Sequence, residues 1–131
     1  MKKLLLFLLI IFLFNGCKIN EPIEKSPEMI DIIFVNDYYC SYKNFFLQIT
    51  YVTVENGIPV TSTLTMSQKS TQPLWPVEKS DKNCIKSLAF YNNGQITFEQ
   101  EVNYKIIDSC YIVINFDENK NSFVITSKSN S

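Results

Sequence analysis

The sequence contains no histidine and no arginine, and it has only 3 glycines in 131 residues. Histidine is the commonest general base and metal ligand, so this chain alone cannot build a Ser-His-Asp triad or a zinc site of the usual kind. Nucleic-acid binding depends on clustered arginine and lysine. The absence of arginine and the formal net charge of −1 argue against it. We therefore expect no enzymatic activity, no cofactor, no metal and no nucleic-acid partner.

A long apolar run lies near the start of the chain. After Lys2 and Lys3 it extends from Leu4 to Phe14, which is too short for a membrane-spanning helix but typical of a signal-peptide core. The run ends in Asn15, Gly16 and Cys17, with Phe14 where leucine is usual. This ending resembles the lipobox of bacterial lipoproteins. An ordinary cleaved signal peptide and an uncleaved anchor helix are the alternatives.

The lipobox resemblance implies cleavage before Cys17 and acylation of the Cys17 thiol, with palmitate as the expected label. The protein would then be a lipid-anchored component of the cell envelope. In enterobacteria an aspartate after the acylated cysteine retains a lipoprotein in the inner membrane. Here Lys18 follows the cysteine, which by that resemblance favours the outer membrane.

The resemblance also divides the chain into three parts. Residues 1–16 form the signal peptide, and residues 17–28 form an acylated cysteine followed by a polar, proline-containing tether. Residues 29–131 are long enough for a single domain. Loss of Lys2 and Lys3 leaves the mature chain with a formal charge of −3.

From Met29 onward the pattern predicts strands and turns, with no sustained helical period. Residues 29–36 form a β-branched run typical of a buried strand. Residues 46–66 predict a long hairpin in which Asn56 and Gly57 form a tight type I′ turn. That turn fixes the partners as Leu47 with Met66, Ile49 with Leu64, Tyr51 with Ser62, and Thr53 with Val60.

Two more hairpins complete the predicted fold. At residues 92–94 a three-residue loop with Gly94 in the left-handed region is favoured over a two-residue turn. It pairs Phe90 with Ile96 and Leu88 with Phe98. At residues 117–120 a four-residue loop pairs Ile114 with Phe123 and Ile112 with Ile125.

The strand count predicts an all-β fold. About seven strands indicate a small antiparallel β-sandwich, immunoglobulin-like or transthyretin-like, with a small β-barrel as the alternative. Residues 67–83 fit no strand. Loops of that length are uncommon in compact domains and are often functional, so this loop is a candidate binding element.

Three cysteines remain once Cys17 is assigned to the anchor. In an oxidising compartment the natural count is one disulfide and one free thiol. A simple meander would place Cys40, Cys84 and Cys110 at one end of the domain. Cys110 shares a face with apolar residues and is expected to be buried. We therefore favour a bridge between Cys40 and Cys84, and the other pairings, or none, remain open.

Aromatic residues in two segments are candidate binding residues. Trp75 lies next to Leu74 in a proline-rich stretch that would hold the indole on a stiff segment. The indole could serve as a binding platform, or Leu74 and Trp75 could fold back to plug one end of the sandwich. In the second segment Tyr39 and Tyr42 could contribute to binding, because alternation along a strand points at least one tyrosine to solvent.

Two polar patterns are given structural interpretations. Asp117, Asn119 and Asn121 have the spacing of calcium ligands, but positions six and twelve of the pattern do not match. We interpret this segment as a polar turn. Glu99 and Glu101 share one face of a strand, and we interpret them as a solvated face.

The sequence therefore favours a membrane-anchored envelope lipoprotein whose non-enzymatic β-sandwich binds or braces another envelope component. The alternative is a carbohydrate- or protein-recognition module, adhesin-like or inhibitor-like, that uses the 67–83 loop.

Overall fold

The structure is a computed structural model that describes residues 25–130. The predicted signal peptide, Cys17 and the tether as far as residue 24 lie outside the described residues. Ten strands are present in the described part: β1 (Met29–Ile30), β2 (Ile32–Asn36), β3 (Phe45–Glu55), β4 (Ile58–Ser67), β5 (Ser70–Pro73), β6 (Val77–Glu78), β7 (Cys84–Asn92), β8 (Gln95–Lys105), β9 (Cys110–Asp117) and β10 (Ser122–Ser129).

The strands form two sheets that are not closed into a barrel. In the larger sheet β3 pairs with β4 on one edge and with β7 on the other, β8 follows β7, and β6 and β1 extend from the end of β3 at Val54. The smaller sheet has the order β10-β9-β2-β5. The predicted β-sandwich is confirmed. All pairs are antiparallel except β2 with β9, which run parallel.

The core lies between the inward faces of the two sheets. Alternating residues of β3 and β7 contribute Leu47, Ile49, Leu88 and Phe90, and β2 contributes Phe34, which is completely buried. Because successive side chains in a strand point to opposite faces, this alternation buries one face of each sheet. The core is rich in phenylalanine, with rings that pack at tilted and edge-on angles.

The long hairpin has the predicted register. β3 and β4 pair Leu47 with Met66, Ile49 with Leu64, Tyr51 with Ser62, and Thr53 with Val60. Asn56 and Gly57 both have positive φ, 50° and 76°, as a type I′ turn requires.

The second hairpin differs from the prediction. Asn92 pairs with Gln95 around a two-residue turn of Asn93 and Gly94, which both have positive φ. The register then shifts, so that Phe90 faces Phe98 instead of Ile96. This β-bulge leaves one residue unpaired and brings both phenylalanines to the core. The prediction of a three-residue loop was therefore wrong, because the turn has two residues and the extra residue lies within β8.

The third hairpin is displaced by two residues from the prediction. Ile114 pairs with Ile125 and Phe116 with Phe123. The loop does contain four residues, but Asp117 still pairs with Ser122 as part of the ladder. The Asp117 carboxylate accepts the backbone N–H groups of residues 119 and 120, so it caps the turn from the strand end. A shift of two residues leaves the same side chains facing the core.

Residues 67–83 are not a strandless loop. They contain β5, which pairs with β2, and β6, which pairs with β1 and β3. The 29–36 run is likewise two strands, which belong to different sheets and are separated by Asp31. β5 and β6 are short and contain polar residues, so a search for alternating apolar residues does not find them. Their pairing with neighbouring strands, and not apolar content, holds them in place.

Candidate functional site

The long strands define two ends of the domain. We call one the tryptophan pole, formed by residues 25–31, 54–58, 74–83 and 105–110. We call the other the tyrosine pole, formed by residues 37–45, 67–70, 92–95 and 117–122. β3 runs from the tyrosine pole at Phe45 to the tryptophan pole at Glu55. The ten steps from Phe45 to Glu55, at about 3.3 Å each, separate these ends by about 33 Å.

Trp75 lies at a corner where the chain changes sheets. β5 pairs with β2 in the smaller sheet, and β6 pairs with β1 in the larger sheet, so the chain crosses between the sheets from β5 to β6. Between them, the Leu74 N–H donates to the Ile32 carbonyl at 2.8 Å, and the Leu74 side chain packs against the core. The next residue, Trp75, points outward and is 89% exposed. Of these two residues, only Leu74 packs against the core, and the Trp75 indole does not plug the end of the sandwich.

Two prolines stiffen this corner. Pro73 ends β5 and Pro76 precedes β6. Each proline fixes its own φ and restricts the residue before it. Beside Trp75 lies an open groove of about 370 Å³ lined by Met29, Glu55, Glu78 and their neighbours. The arrangement offers an apolar ring next to carboxylates.

Asn83 fixes the backbone beneath the corner. Its side chain is completely buried. Nδ2 donates to the Glu78 carbonyl at 2.8 Å, and Oδ1 accepts the Val54 N–H at 3.1 Å. The Asn83 carbonyl accepts the Ile106 N–H at 2.9 Å. The Asn83 side-chain amide therefore joins β3 to β6, and the Asn83 backbone carbonyl links them to the residue after β8.

A lysine with two carboxylate partners holds the start of the described chain. Lys79 Nζ lies 3.4 Å from Glu28 Oε1 and 3.5 Å from Asp108 Oδ2. The Lys79 N–H also donates to the Glu28 carbonyl at 2.8 Å. The hydrogen bond that Lys79 donates to Glu28, followed by the charge of Asp108, raises the pKa of Lys79. Residue 28 thus belongs to the folded domain, although the sequence placed it in the tether.

At the tyrosine pole, Tyr39 and Tyr42 project into solvent and are 68% and 67% exposed. Tyr38 instead lies inward, with its ring 5.0 Å from Phe90 and 5.8 Å from Phe116. Burial, followed by a hydrogen bond to Glu118, raises the pKa of Tyr38. Tyr38 therefore anchors a loop, residues 37–44, from which the other two tyrosines are displayed. We call this the tyrosine loop.

Side chains from outside brace the tyrosine loop. Gln68 Oε1 accepts the Cys40 N–H at 2.6 Å, and Gln68 Nε2 donates to the Tyr42 carbonyl at 3.0 Å. Lys69 Nζ lies 2.7 Å from Asp37 Oδ1. Sequence reasoning missed Gln68, because a glutamine in a polar stretch carries no signal of the loop that it contacts.

The predicted binding residues therefore do not form one site. The Tyr38 ring lies beside Phe45, at the start of β3, whereas the groove of Trp75 includes residues at the end of β3. With about 33 Å between the two ends of that strand, Tyr39 and Tyr42 cannot contact a small ligand held by Trp75.

Cys40 is likewise separated from the other two cysteines of the domain. Cys40, Cys84 and Cys110 are all free, so the expected bridge between Cys40 and Cys84 is not formed. Cys84 pairs with Val52 near the end of β3, whereas Cys40 precedes the start of that strand. The predicted meander placed Cys40 and Cys84 at the same end because it treated residues 67–83 as a loop. In the structure these residues form β5 and β6, which carry the chain from the tyrosine pole to the tryptophan pole before β7 begins. Cys110 is half-buried, and burial raises the pKa of its thiol.

The remaining polar patterns form no apparent site. Within residues 25–130, no group of three or more histidine, cysteine, aspartate or glutamate residues could hold a metal ion. Glu99 and Glu101 are exposed, and they line an open polar depression of about 620 Å³ together with Lys86, Ser87 and Asn103. In the same described part, no helix is long and apolar enough to cross a membrane.

Comparisons with other proteins give a distant structural likeness. No protein-family model matches the chain, and no curated protein matches it. The chain resembles the NMR structure of a protein from Eubacterium rectale at 16% identity and a TM-score of 0.42. The match covers 79% of this chain and 92% of the other.

Proposed function

We propose that this protein is a lipid-anchored envelope lipoprotein whose β-sandwich binds another envelope protein without catalysis. The observation that carries the binding proposal is the tyrosine loop, where Tyr39 and Tyr42 are exposed on a backbone braced by Gln68. The anchor rests on the lipobox resemblance at Cys17, and the outer membrane on Lys18. We propose no cofactor and no enzymatic activity.

The tyrosine loop has the chemistry of a protein-binding surface. Tyrosine offers a large apolar ring with a polar tip and has few torsions to immobilise, which favours it at interfaces. Two hydrogen bonds with Gln68, one accepted and one donated by its amide, and the ion pair of Asp37 with Lys69 hold the loop in place. A loop fixed in advance loses less conformational entropy on binding.

The position of the loop suits a tethered domain. Lys79 holds Glu28 at the tryptophan pole, so the chain that leads back to Cys17 leaves the folded domain there. If Cys17 is acylated, residues 18–27 can span at most about 35 Å. The tyrosine pole would then face away from the bilayer, towards a partner.

Photocrosslinking in intact cells tests this binding role. A benzophenone amino acid replaces Tyr39 in one variant and Tyr111 in a matched control. Tyr111 is an exposed tyrosine near the start of β9, beside the tryptophan pole and far from the tyrosine loop. We expect a discrete adduct with one envelope protein from position 39 and none from position 111.

A double variant, Tyr39→Ala with Tyr42→Ala, measures how much the two tyrosines contribute to binding. Loss of two interface aromatics is expected to lower recovery of the partner at least about tenfold. Equal adducts at positions 39 and 111, or unchanged recovery by the double variant, would exclude the tyrosine loop as the binding surface.

Glycan recognition at the Trp75 corner is the second candidate function. The observation that favours it is the exposed indole beside the groove with Glu55 and Glu78, since a flat ring flanked by polar groups suits one face of a sugar. Saturable binding to a glycan array, abolished by Trp75→Ala, would support this function. An array without signal would remove it.

A further inference from the structure

The tryptophan pole carries four exposed large apolar side chains. Trp75 and Met29 line the same groove, Ile58 follows the adjacent β3–β4 turn, and Ile107 projects from the loop after β8. Single exposed apolar residues are ordinary on soluble domains. Several at one end of a domain indicate a surface that contacts something else.

The chain towards Cys17 leaves the domain at this same pole. Residues 25–28 lead into β1 there, and Lys79 clamps Glu28 through both its backbone and its carboxylate. Seven residues lie between Cys17 and Lys25, a reach of at most about 28 Å over the eight intervening steps. An acyl chain on Cys17 would therefore keep the exposed apolar side chains close to the bilayer.

We propose that the tryptophan pole rests on the lipid bilayer, with the Trp75 indole at the level of the headgroups. This inference rests on the lipid anchor proposed above. Tryptophan is favoured at the membrane interface because its ring is apolar while its N–H remains hydrated. The proline-flanked corner holds the ring outward before any contact is made.

The charges of this pole indicate the kind of lipid surface. Lysines 25, 79, 82 and 105 are interspersed with carboxylates, among them Glu55 and Glu78 beside the indole. Such a mixed surface gains little from anionic lipid. Apolar contact therefore drives the association, and the tether compensates for its weakness by keeping the local concentration high. Zwitterionic vesicles suffice, and added salt has little effect.

The chain contains a single tryptophan, so its fluorescence reports on this corner alone. The acylated full chain, with the Cys17 acyl group verified by intact mass, is reconstituted into phosphatidylcholine vesicles. Half of the samples carry lipid brominated near the glycerol end of the acyl chains. We expect bromination to reduce Trp75 emission to about half or less, because a ring at the headgroup–acyl boundary contacts those bromines.

A relocated reporter provides the control. Trp75→Phe combined with Tyr39→Trp moves the indole to the opposite pole, and both positions are exposed, so the fold should tolerate the exchange. Its emission is expected to be unaffected by bromination. Equal quenching of both proteins would show that the domain has no preferred orientation, and would overturn the inference.

The outcomes separate the two proposals. An acylated protein whose Trp75 emission is unquenched overturns membrane contact and leaves the anchored binding protein intact. If glycan then shields that indole from iodide, the corner is a sugar site. A chain without an acyl group on Cys17 overturns both proposals.

Discussion

Replacing Asn83 by alanine tests the structural basis of the tryptophan pole. The substitution removes the partners of two backbone groups, the Val54 N–H and the Glu78 carbonyl. A buried group left unsatisfied costs about 1–3 kcal/mol, and the Val54 hydrogen bond is buried while that of the Glu78 carbonyl is partly buried. We therefore expect Asn83→Ala to lower the free energy of unfolding by about 2–5 kcal/mol. Domains are typically stable by about 5–15 kcal/mol, so the loss is a large fraction of the total.

The measurement is urea unfolding followed by far-ultraviolet circular dichroism. With a slope of about 2 kcal/mol per molar, a loss of about 4 kcal/mol lowers the urea midpoint by about 2 M. Asn119→Ala, in the exposed turn between β9 and β10, is the matched control and should stay within about 0.5 kcal/mol of wild type. A midpoint for Asn83→Ala equal to that of the control would refute the reasoning.

Three further perturbations have defined outcomes. Gly57→Ala forces a side chain into positive φ with open space around it, so we expect a stability loss of about 1–2 kcal/mol from backbone strain alone; a neutral result would contradict the type I′ geometry. A hydrogen bond from the Ser109 N–H lowers the pKa of Asp108, and the charge of Lys79 lowers it further. The ionised Asp108 carboxylate therefore stabilises the fold above the ordinary carboxyl pKa, and this stabilisation is lost as the pH falls through the pKa that Asp108 has in the folded protein. In an NMR titration Lys79→Ala should raise that pKa part of the way to normal, and no change would show that the ion pair is not formed. Mass mapping of a non-reduced digest should find Cys40 and Cys84 unlinked, and a peptide that joins them would contradict the separation of the poles.

Local turn chemistry explains where the sequence predicted the fold correctly. Asn56 and Gly57 both needed positive φ, and a two-residue turn permits one register. The Asn93-Gly94 hairpin has equivalent turn residues, but a β-bulge beyond the turn shifted its ladder. Bulges respond to the packing of Phe90 and its neighbours, which lies outside the reach of a local pattern.

The sequence predicted an exposed tyrosine in the segment of Tyr39 and Tyr42, left open whether Trp75 is exposed or plugs the sandwich, and did not reveal how far apart these residues lie. Tyr39 and Tyr42 are exposed, and so is Trp75. Their separation depends on crossings between sheets at Asp31 and at Leu74. These crossings result from the long-range pairing of β2 with β5 and β9. No local pattern in residues 67–83 indicated that pairing.

The most direct test of the central claim is palmitate labelling of the protein expressed in a bacterium with lipoprotein-processing enzymes. We predict that radiolabelled palmitate enters the wild-type protein and that Cys17→Ser abolishes the labelling. Failure of the label to enter, or its persistence in Cys17→Ser, would contradict the lipid anchor on which the proposed orientation of both poles depends.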